Sequence, residues 1–154
     1  MLQVGEKAPE FSGRDQDGRE VDSHALLARG PVVLYFYPRD FTPGCTIEAC
    51  NFRDAFADLD ARGATIVGVS VDDEASHKRF ADKHGLPFTL IADPAGALAK
   101  RFQATRAFGL GVRRVTYVIA PDGLVRGVFH HELLIGRHVA DVQKALSAIA
   151  GAAV

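Results

Sequence analysis

Hydrophobic residues along this chain come in runs, and the runs differ in kind. Residues 32–37 (V-V-L-Y-F-Y) and 64–71 (A-T-I-V-G-V-S-V) are near-continuous, β-branched or aromatic, and too short for buried helices. They predict strands buried on both faces. Residues 88–91 predict a shorter one. Residues 114–119 and 124–129 flank Ala120-Pro121-Asp122-Gly123, and residues 11–14 and 19–21 flank Asp15-Gln16-Asp17-Gly18. Each set predicts a β-hairpin, because Asp-Gly tolerates the positive φ of such turns. Residues 4–11, interrupted by Pro9, predict an edge segment. Other stretches follow helical spacing. Ser23 is placed to cap a short helix through about Arg29, stopped by Gly30-Pro31. A longer helix opens at Thr42-Pro43, with the threonine as N-cap and the proline where a missing N–H costs nothing. It runs to Gly63, and Cys45, Ala49, Phe52, Phe56 and Leu59 share one apolar stripe. Cys45 therefore faces the protein body, while Arg53, Asp54 and Asp58 lie off the stripe. Further helices are expected over residues 72–84, closed by Gly85, and from Asp93-Pro94 to about Phe102. A last one over about 138–150 buries Val139, Val142, Leu146 and Ile149. Residues 103–113 are glycine-spotted and irregular. Helices alternating with strands, then a hairpin and a final helix, predict an α/β fold: a mixed sheet with helices on both faces.

Composition narrows the class. At 154 residues and 16.6 kDa, with 47% hydrophobic and 24% charged residues, a single domain over residues 1–154 with a full core is expected. A net charge of -1 and a pI near 6.6 leave no basic footprint for nucleic acid. No apolar run approaches the roughly 20 residues of a membrane span. The N-terminus lacks a basic segment followed by an apolar one, so no signal peptide is expected and a cytoplasmic location is. Two cysteines are too few for a disulfide scaffold, and a close pair in a reducing compartment points to redox or metal chemistry.

Both cysteines, Cys45 and Cys50, lie in Y-F-Y-P-R-D-F-T-P-G-C-T-I-E-A-C-N, a strand running through a Pro-rich turn into a helix. Cys45 falls at about the third helical position. Unsatisfied N–H groups and the positive end of the helix dipole favour a thiolate there, and a nearby Arg would add to this; partial burial opposes it. The Thr42 hydroxyl can meet the thiolate or a bound oxygen across the same turn, and Pro38 and Pro43 stiffen and narrow it. The site suits a small electrophile with acceptor oxygens. Five helical residues separate the cysteines by about 140° and roughly 8–9 Å between Cα atoms, beyond the ~7 Å reach of a disulfide. The pair can join only if the first turns unwind.

Pro38-x-x-x-Thr42-x-x-Cys45 resembles the peroxiredoxin active-site motif, and Thr42-Pro43-Gly44-Cys45-Thr46-x-Glu48-Ala49-Cys50 resembles the Q-type (bacterioferritin-comigratory-protein) group. The likeness extends through Gly5-x-x-Ala8-Pro9-x-Phe11, Val67-Gly68-Val69-Ser70, Asp93-Pro94 and Arg114-x-Thr116-Tyr117-x-Ile119. It implies a thioredoxin-like fold and a thiol-dependent peroxidase that reduces hydrogen peroxide and organic hydroperoxides in antioxidant defence. Carried over residue by residue, Cys45 would attack the peroxide and become a sulfenic acid. Thr42 and Arg114 would hold the peroxide oxygens, Pro38 would shield the sulfenate, and Glu48 would orient the arginine. Cys50 would resolve the sulfenic acid as an intramolecular disulfide, reduced in turn by thioredoxin or a similar dithiol. The resemblance implies no cofactor and no metal. Arg114 is preferred to Arg113 because it shares a strand face with Thr116. A resolving cysteine on the same helix needs no partner subunit, so a monomer is expected. The F-G-L-G-V-R stretch within residues 103–113 departs from the family pattern.

Other readings are weaker. Disulfide oxidoreductases of this fold prefer C-x-x-C, absent here. A redox sensor or holdase would need an exposed apolar patch. A zinc site would need a different spacing, and nothing in the sequence brings His130, His131 or His138 near the helix start. Phe52, Phe56, Phe80 and Phe102 read as core, and Arg39 and Asp40 as residues that serve the turn.

Overall fold

The computed structural model describes residues 1–132 and 135–152. Five strands form one mixed sheet: β3 (Val32–Phe36), β4 (Thr65–Ser70), β5 (Thr89–Ala92), β6 (Val115–Ile119) and β7 (Val125–His130), in the order β5-β4-β3-β6-β7. β3 pairs in parallel with β4 and antiparallel with β6, so the apolar run is central, as its composition predicts. Along β3, Val32, Leu34 and Phe36 face one core, while Val33 and Tyr35, followed by Tyr37, face the other. The first core holds Phe11, Leu98, Phe102 and Tyr117; the second holds Cys45, Ala49, Phe52, Phe80, Val142 and Leu146. The phenylalanines expected to cluster are thus divided between the two faces of the sheet. Tyr35 fits only because residue 68 is glycine: a Cβ there would lie 2.8 Å from the tyrosine Cζ.

The N-terminal hairpin, β1 (Ser12–Arg14) with β2 (Glu20–Asp22), forms as expected. In its turn, Gln16 donates to the Phe88 carbonyl and accepts from the Leu90 N–H, each at 2.9 Å, covering the free edge of β5 as a strand would. At the opposite edge residues 5–8 bond to residues 123–125, the edge placement read from Pro9 and the alternating polarity.

Helix boundaries depart from the expectations in three places. The cap of α1 (Ser23–Leu27) is Asp22, whose carboxylate accepts from the His24 and Ala25 N–H groups. Ser23 Oγ instead accepts from Phe11 N, tying the hairpin to the N-terminal segment. The long helix breaks at Ala55 into α2 (Pro43–Asp54) and α3 (Phe56–Ala61), and the apolar stripe continues across the break with Phe56 only half-buried. α4 (Glu74–His84) ends on a left-handed Gly85, as read from the sequence. α5 (Ala97–Arg101) starts later than Pro94, because a left-handed turn at Gly96 intervenes and the Asp93 carboxylate reaches across it to the Leu98 and Ala99 N–H groups. α6 (Arg137–Ala152) packs against β6 and β7 and touches α2. Among the described residues no helix is long and apolar enough to cross a membrane.

Candidate active site

β3 sits at the centre of the sheet and delivers the chain to one end of it, where Pro38 to Thr42 form the turn into α2. That turn is fastened from beneath. Asp40 is buried; its carboxylate accepts from Tyr37 Oη (2.6 Å), Ser76 Oγ (2.9 Å) and His77 Nδ1 (2.7 Å), and its N–H donates to Asp72 (2.8 Å). His77 Nε2 faces the Ile91 carbonyl at 3.0 Å and therefore carries a proton. With Nδ1 against the Asp40 carboxylate and Nε2 on the Ile91 carbonyl, His77 ties the inner end of the turn to β5. Asp40, Asp72 and His77 are close enough together to suggest a metal site, but each ligating atom already serves a protein hydrogen bond. The trio acts as a strut. Asp40 was expected to serve the turn, but the inner anchor is invisible in the sequence because His77 lies 37 residues away. The strut holds Phe41 at φ 65, a left-handed conformation unfavourable for a residue with a Cβ, with its ring edge-on to Phe80.

Cys45 is the third residue of α2 and almost wholly buried. Arg114, immediately before β6, reaches it because β6 is the antiparallel neighbour of β3, with Phe36 opposite Val115. One guanidinium nitrogen, Nη2, donates to Cys45 Sγ at 3.4 Å; the other, Nη1, donates to Glu48 Oε1 at 2.8 Å. The arginine crosses the first helical turn directly over Gly44, where a Cβ would lie 2.9 Å from Nη2. Arg113, on the opposite face, donates to the Thr105 carbonyl.

Glu48 was expected on the flank of the stripe and is instead buried, 1% exposed. Burial pushes its carboxyl up to about 8, against the pull of Arg114. Burial also works against the charge of Arg114, but Glu48 and Cys45 at its two nitrogens outweigh that, and its pKa lies above the ordinary arginine value. Thr42 occupies the N-cap position without capping through its side chain: its hydroxyl donates to the Arg39 carbonyl at 2.8 Å. The oxygen's lone pairs remain available one turn from Cys45. Pro38, half-buried, closes the strand end of the turn.

Cys50 lies on the same unbroken helix, half-buried, with its sulfur 4.0 Å from His84 Nδ1 at the end of α4. Both thiols are free. The structure thus brings Cys45, Arg114 and Glu48 together and sets Cys50 apart, as the helix count requires.

One neighbour was missed. His138, in the first turn of α6, is fully buried against Thr116 (Nδ1 to Oγ1, 2.7 Å) and lies 3.6 Å from Glu48 Oε2. The sequence offers no reason to bring His138 to α2, and the fold does so, at Glu48. The sequence signal was present but unread: His138 opens the buried stripe of Val142, Leu146 and Ile149, where a histidine is bound to face inward.

The family model for AhpC/TSA proteins matches residues 4–128. A chloroplastic peroxiredoxin Q of Oryza sativa subsp. japonica is 41% identical over 146 residues, 94% of this chain and 67% of that protein. Among solved structures, peroxidoxin BcpB from Mycobacterium tuberculosis superposes with a TM-score of 0.91 at 35% identity, covering 97% of this chain and 99% of the other. A Xanthomonas campestris bacterioferritin comigratory protein, described by its alkyl peroxide reduction activity, gives 0.81 at 31% identity, covering 94% and 92%. The chain belongs to the AhpC/TSA family and has its thioredoxin-like fold. Within that family it is a Q-type peroxiredoxin, a thiol peroxidase with a hydroperoxide substrate and a thioredoxin-type reductant.

Proposed function

We propose that Cys45 is the peroxidatic cysteine and Cys50 the resolving one. The observation that carries this is the Arg114 guanidinium, held by Glu48 with its free nitrogen on Cys45 Sγ. A thiolate paired with that cation attacks the terminal oxygen of R–O–OH. The S–O bond forms as the O–O bond breaks, and the leaving alkoxide takes up a proton as alcohol. Arg114 supports the charge developing on the peroxide oxygens. Thr42, whose own proton is held by Arg39, accepts the peroxide O–H. Pro38 shields the sulfenic acid from water, and Glu48 keeps the arginine in line.

Cys50 then attacks the Cys45 sulfur; the S–S bond forms, the S–O bond breaks, and hydroxide leaves as water. Because α2 is continuous through both cysteines, its first turns must unwind for this step. A thioredoxin-like dithiol supplies two electrons to reopen the disulfide. Hydrogen peroxide and organic hydroperoxides both fit a site whose contacts are to the O–O group. We place the chain in the cytoplasm, where a close thiol pair stays reduced between turnovers, and as a monomer, since both thiols of the cycle lie on one helix.

Anaerobic titration with hydrogen peroxide tests the assignment. Wild type is expected to lose two thiols per peroxide. Cys45→Ser loses rapid consumption altogether, whereas Cys50→Ser reacts once and fails to turn over with thioredoxin. Peroxide consumption by Cys45→Ser at the wild-type rate would show that the nucleophile lies elsewhere.

A further inference from the structure

Arg114 has two ends to hold. Its guanidinium is fixed by Glu48 and Cys45. Its backbone is not fixed by the sheet. β6 begins one residue later, at Val115, and Val115 stands opposite His130, the last residue of β7. Continued by one rung, the ladder would set His131 beside Arg114, but the His131 carbonyl faces His138 Nε2 at 3.2 Å instead. The Arg114 N–H thus lies past the end of the ladder, on a residue only 6% exposed, and a buried main-chain donor requires an acceptor.

That acceptor is a side chain. Glu132 Oε1 accepts from Arg114 N at 3.2 Å. The same oxygen meets Arg106 Nη2 at 3.1 Å, from the loop before β6, and His130 Nε2 at 3.1 Å, from the end of β7. Arg106 and His130 approach through rotatable side chains and can share the second carboxylate oxygen; the N–H is fixed by the chain. Burial works against the charge of Glu132, but the Arg114 N–H, His130 and Arg106 outweigh it and hold its carboxyl below the ordinary range, so the acceptor is ionised at neutral pH.

We propose that Glu132 is a positioning residue for the peroxidase reaction: by accepting the Arg114 N–H it fixes the backbone from which the guanidinium reaches Cys45. This rests on the reading that Arg114 serves a peroxidatic Cys45. The arginine is then clamped by a carboxylate at each end, Glu48 on the guanidinium and Glu132 on the main chain. The arm between them makes no hydrogen bond through Nε, so nothing along it corrects an error at its base. A misplacement of about 1 Å at a reacting group can cost on the order of 10²-fold in rate. The pairing with Arg106 is a lesser matter, since both side chains are partly exposed and such pairs contribute little.

The test is single-turnover thiol loss with hydrogen peroxide in the Cys50→Ser background, followed by stopped flow. Glu132→Ala removes the acceptor and is expected to slow the reaction about ten-fold. Glu132→Gln, whose amide oxygen can accept the same N–H, should recover the rate to within about three-fold of the parent. Arg106→Ala leaves the Arg114 N–H bond in place and should change the rate by less than about two-fold. In an Arg114→Ala background Glu132→Ala should have no further effect, because a residue that acts through Arg114 has nothing left to place. A parent-like rate in Glu132→Ala overturns the proposal. So does the same factor lost with and without Arg114, which would make Glu132 a support of the fold at large. A Glu132→Gln rate as low as that of Glu132→Ala, or an Arg106→Ala rate as low, would assign the effect to the surface ion pair and overturn it too. If Arg114→Ala itself reacts at the parent rate, the reading of Arg114 fails instead.

Discussion

Gly44 shows how narrowly single residues are specified at this site. Its φ is ordinary, so the requirement is space: the Arg114 guanidinium lies across the helix where a Cβ would stand. Gly44→Ala leaves the helix intact, since alanine is the better helix former by about 1 kcal/mol. The far end of the arginine must shift instead, and that end carries the contact to Cys45. Gly44→Ala is therefore expected to slow the peroxide reaction by about ten-fold or more while leaving thermal stability equal or higher, as read by stopped-flow kinetics and calorimetry. A comparable rate together with a lower melting temperature would show that the glycine serves the fold. At this scale the sequence was informative about polar chemistry and poor about burial. Arg114 could be preferred to Arg113 from strand alternation, and the structure brings Arg114 to Cys45. Glu48 could not be recognised as buried, because its neighbours His138 and Arg114 are 90 and 66 residues distant in sequence.

Among the elements, α2 has two demands to meet. Reduced, it must hold Cys45 and Glu48 against the second core; oxidised, it must release its first turns so that the cysteines can meet. It is 12 residues long and carries Ile47 half-exposed on its outer side, so the balance can be shifted there without touching the core. Ile47→Ala stabilises the helical turn slightly and Ile47→Gly weakens it by about 0.5 kcal/mol or more. Disulfide formation after peroxide addition should therefore be a few-fold faster in Ile47→Gly than in Ile47→Ala, with the preceding sulfenate step little changed. Equal rates of disulfide formation in the two variants would argue against unwinding as part of the step. The start of this helix was readable from Thr42-Pro43, and the strands from their unbroken apolar runs. Its break at Ala55 was not, because the apolar stripe continues in phase through Phe56 and Leu59 and leaves no mark of the interruption. The start of α5 was misplaced for a related reason: Asp93 does cap it, but from across a turn that only Gly96 betrays.

For the molecule as a whole, the buried acid and imidazole make stability depend on pH in opposite directions. Glu48 titrates near 8 when folded and near 4.5 when unfolded, so between those values the folded state holds the extra proton and stability falls as pH rises. His138 titrates near 4 when folded and near 6.5 when unfolded, so from 4 to 6.5 the unfolded state holds the extra proton and stability rises with pH. The two trends offset one another up to about 6.5, leaving a net loss of about 2 kcal/mol between pH 6.5 and 8 from Glu48 alone. Urea unfolding of the reduced protein across this window should show that decline in wild type and a flatter profile in Glu48→Gln. Identical slopes would mean that Glu48 is already ionised in the folded protein.

Because Phe36 stands opposite Val115, the side chain delivered to Cys45 is chosen by strand register, and the segment leading into β6 has no say in it. That segment is closed at its base by Arg113 N to Ala104 O and Arg106 N to Gly111 O, and it carries Phe108 and Leu110 outward at its tip. Residues can be added, removed or exchanged at the tip, between Arg106 and Gly111, without altering which arginine arrives. One residue inserted between Arg114 and Val115 would instead turn Arg114 to the wrong side of the sheet. The chain thus separates a stretch open to length variation from a neighbouring one that tolerates none, and a new recognition loop could be grafted at the tip with the peroxide chemistry left in place.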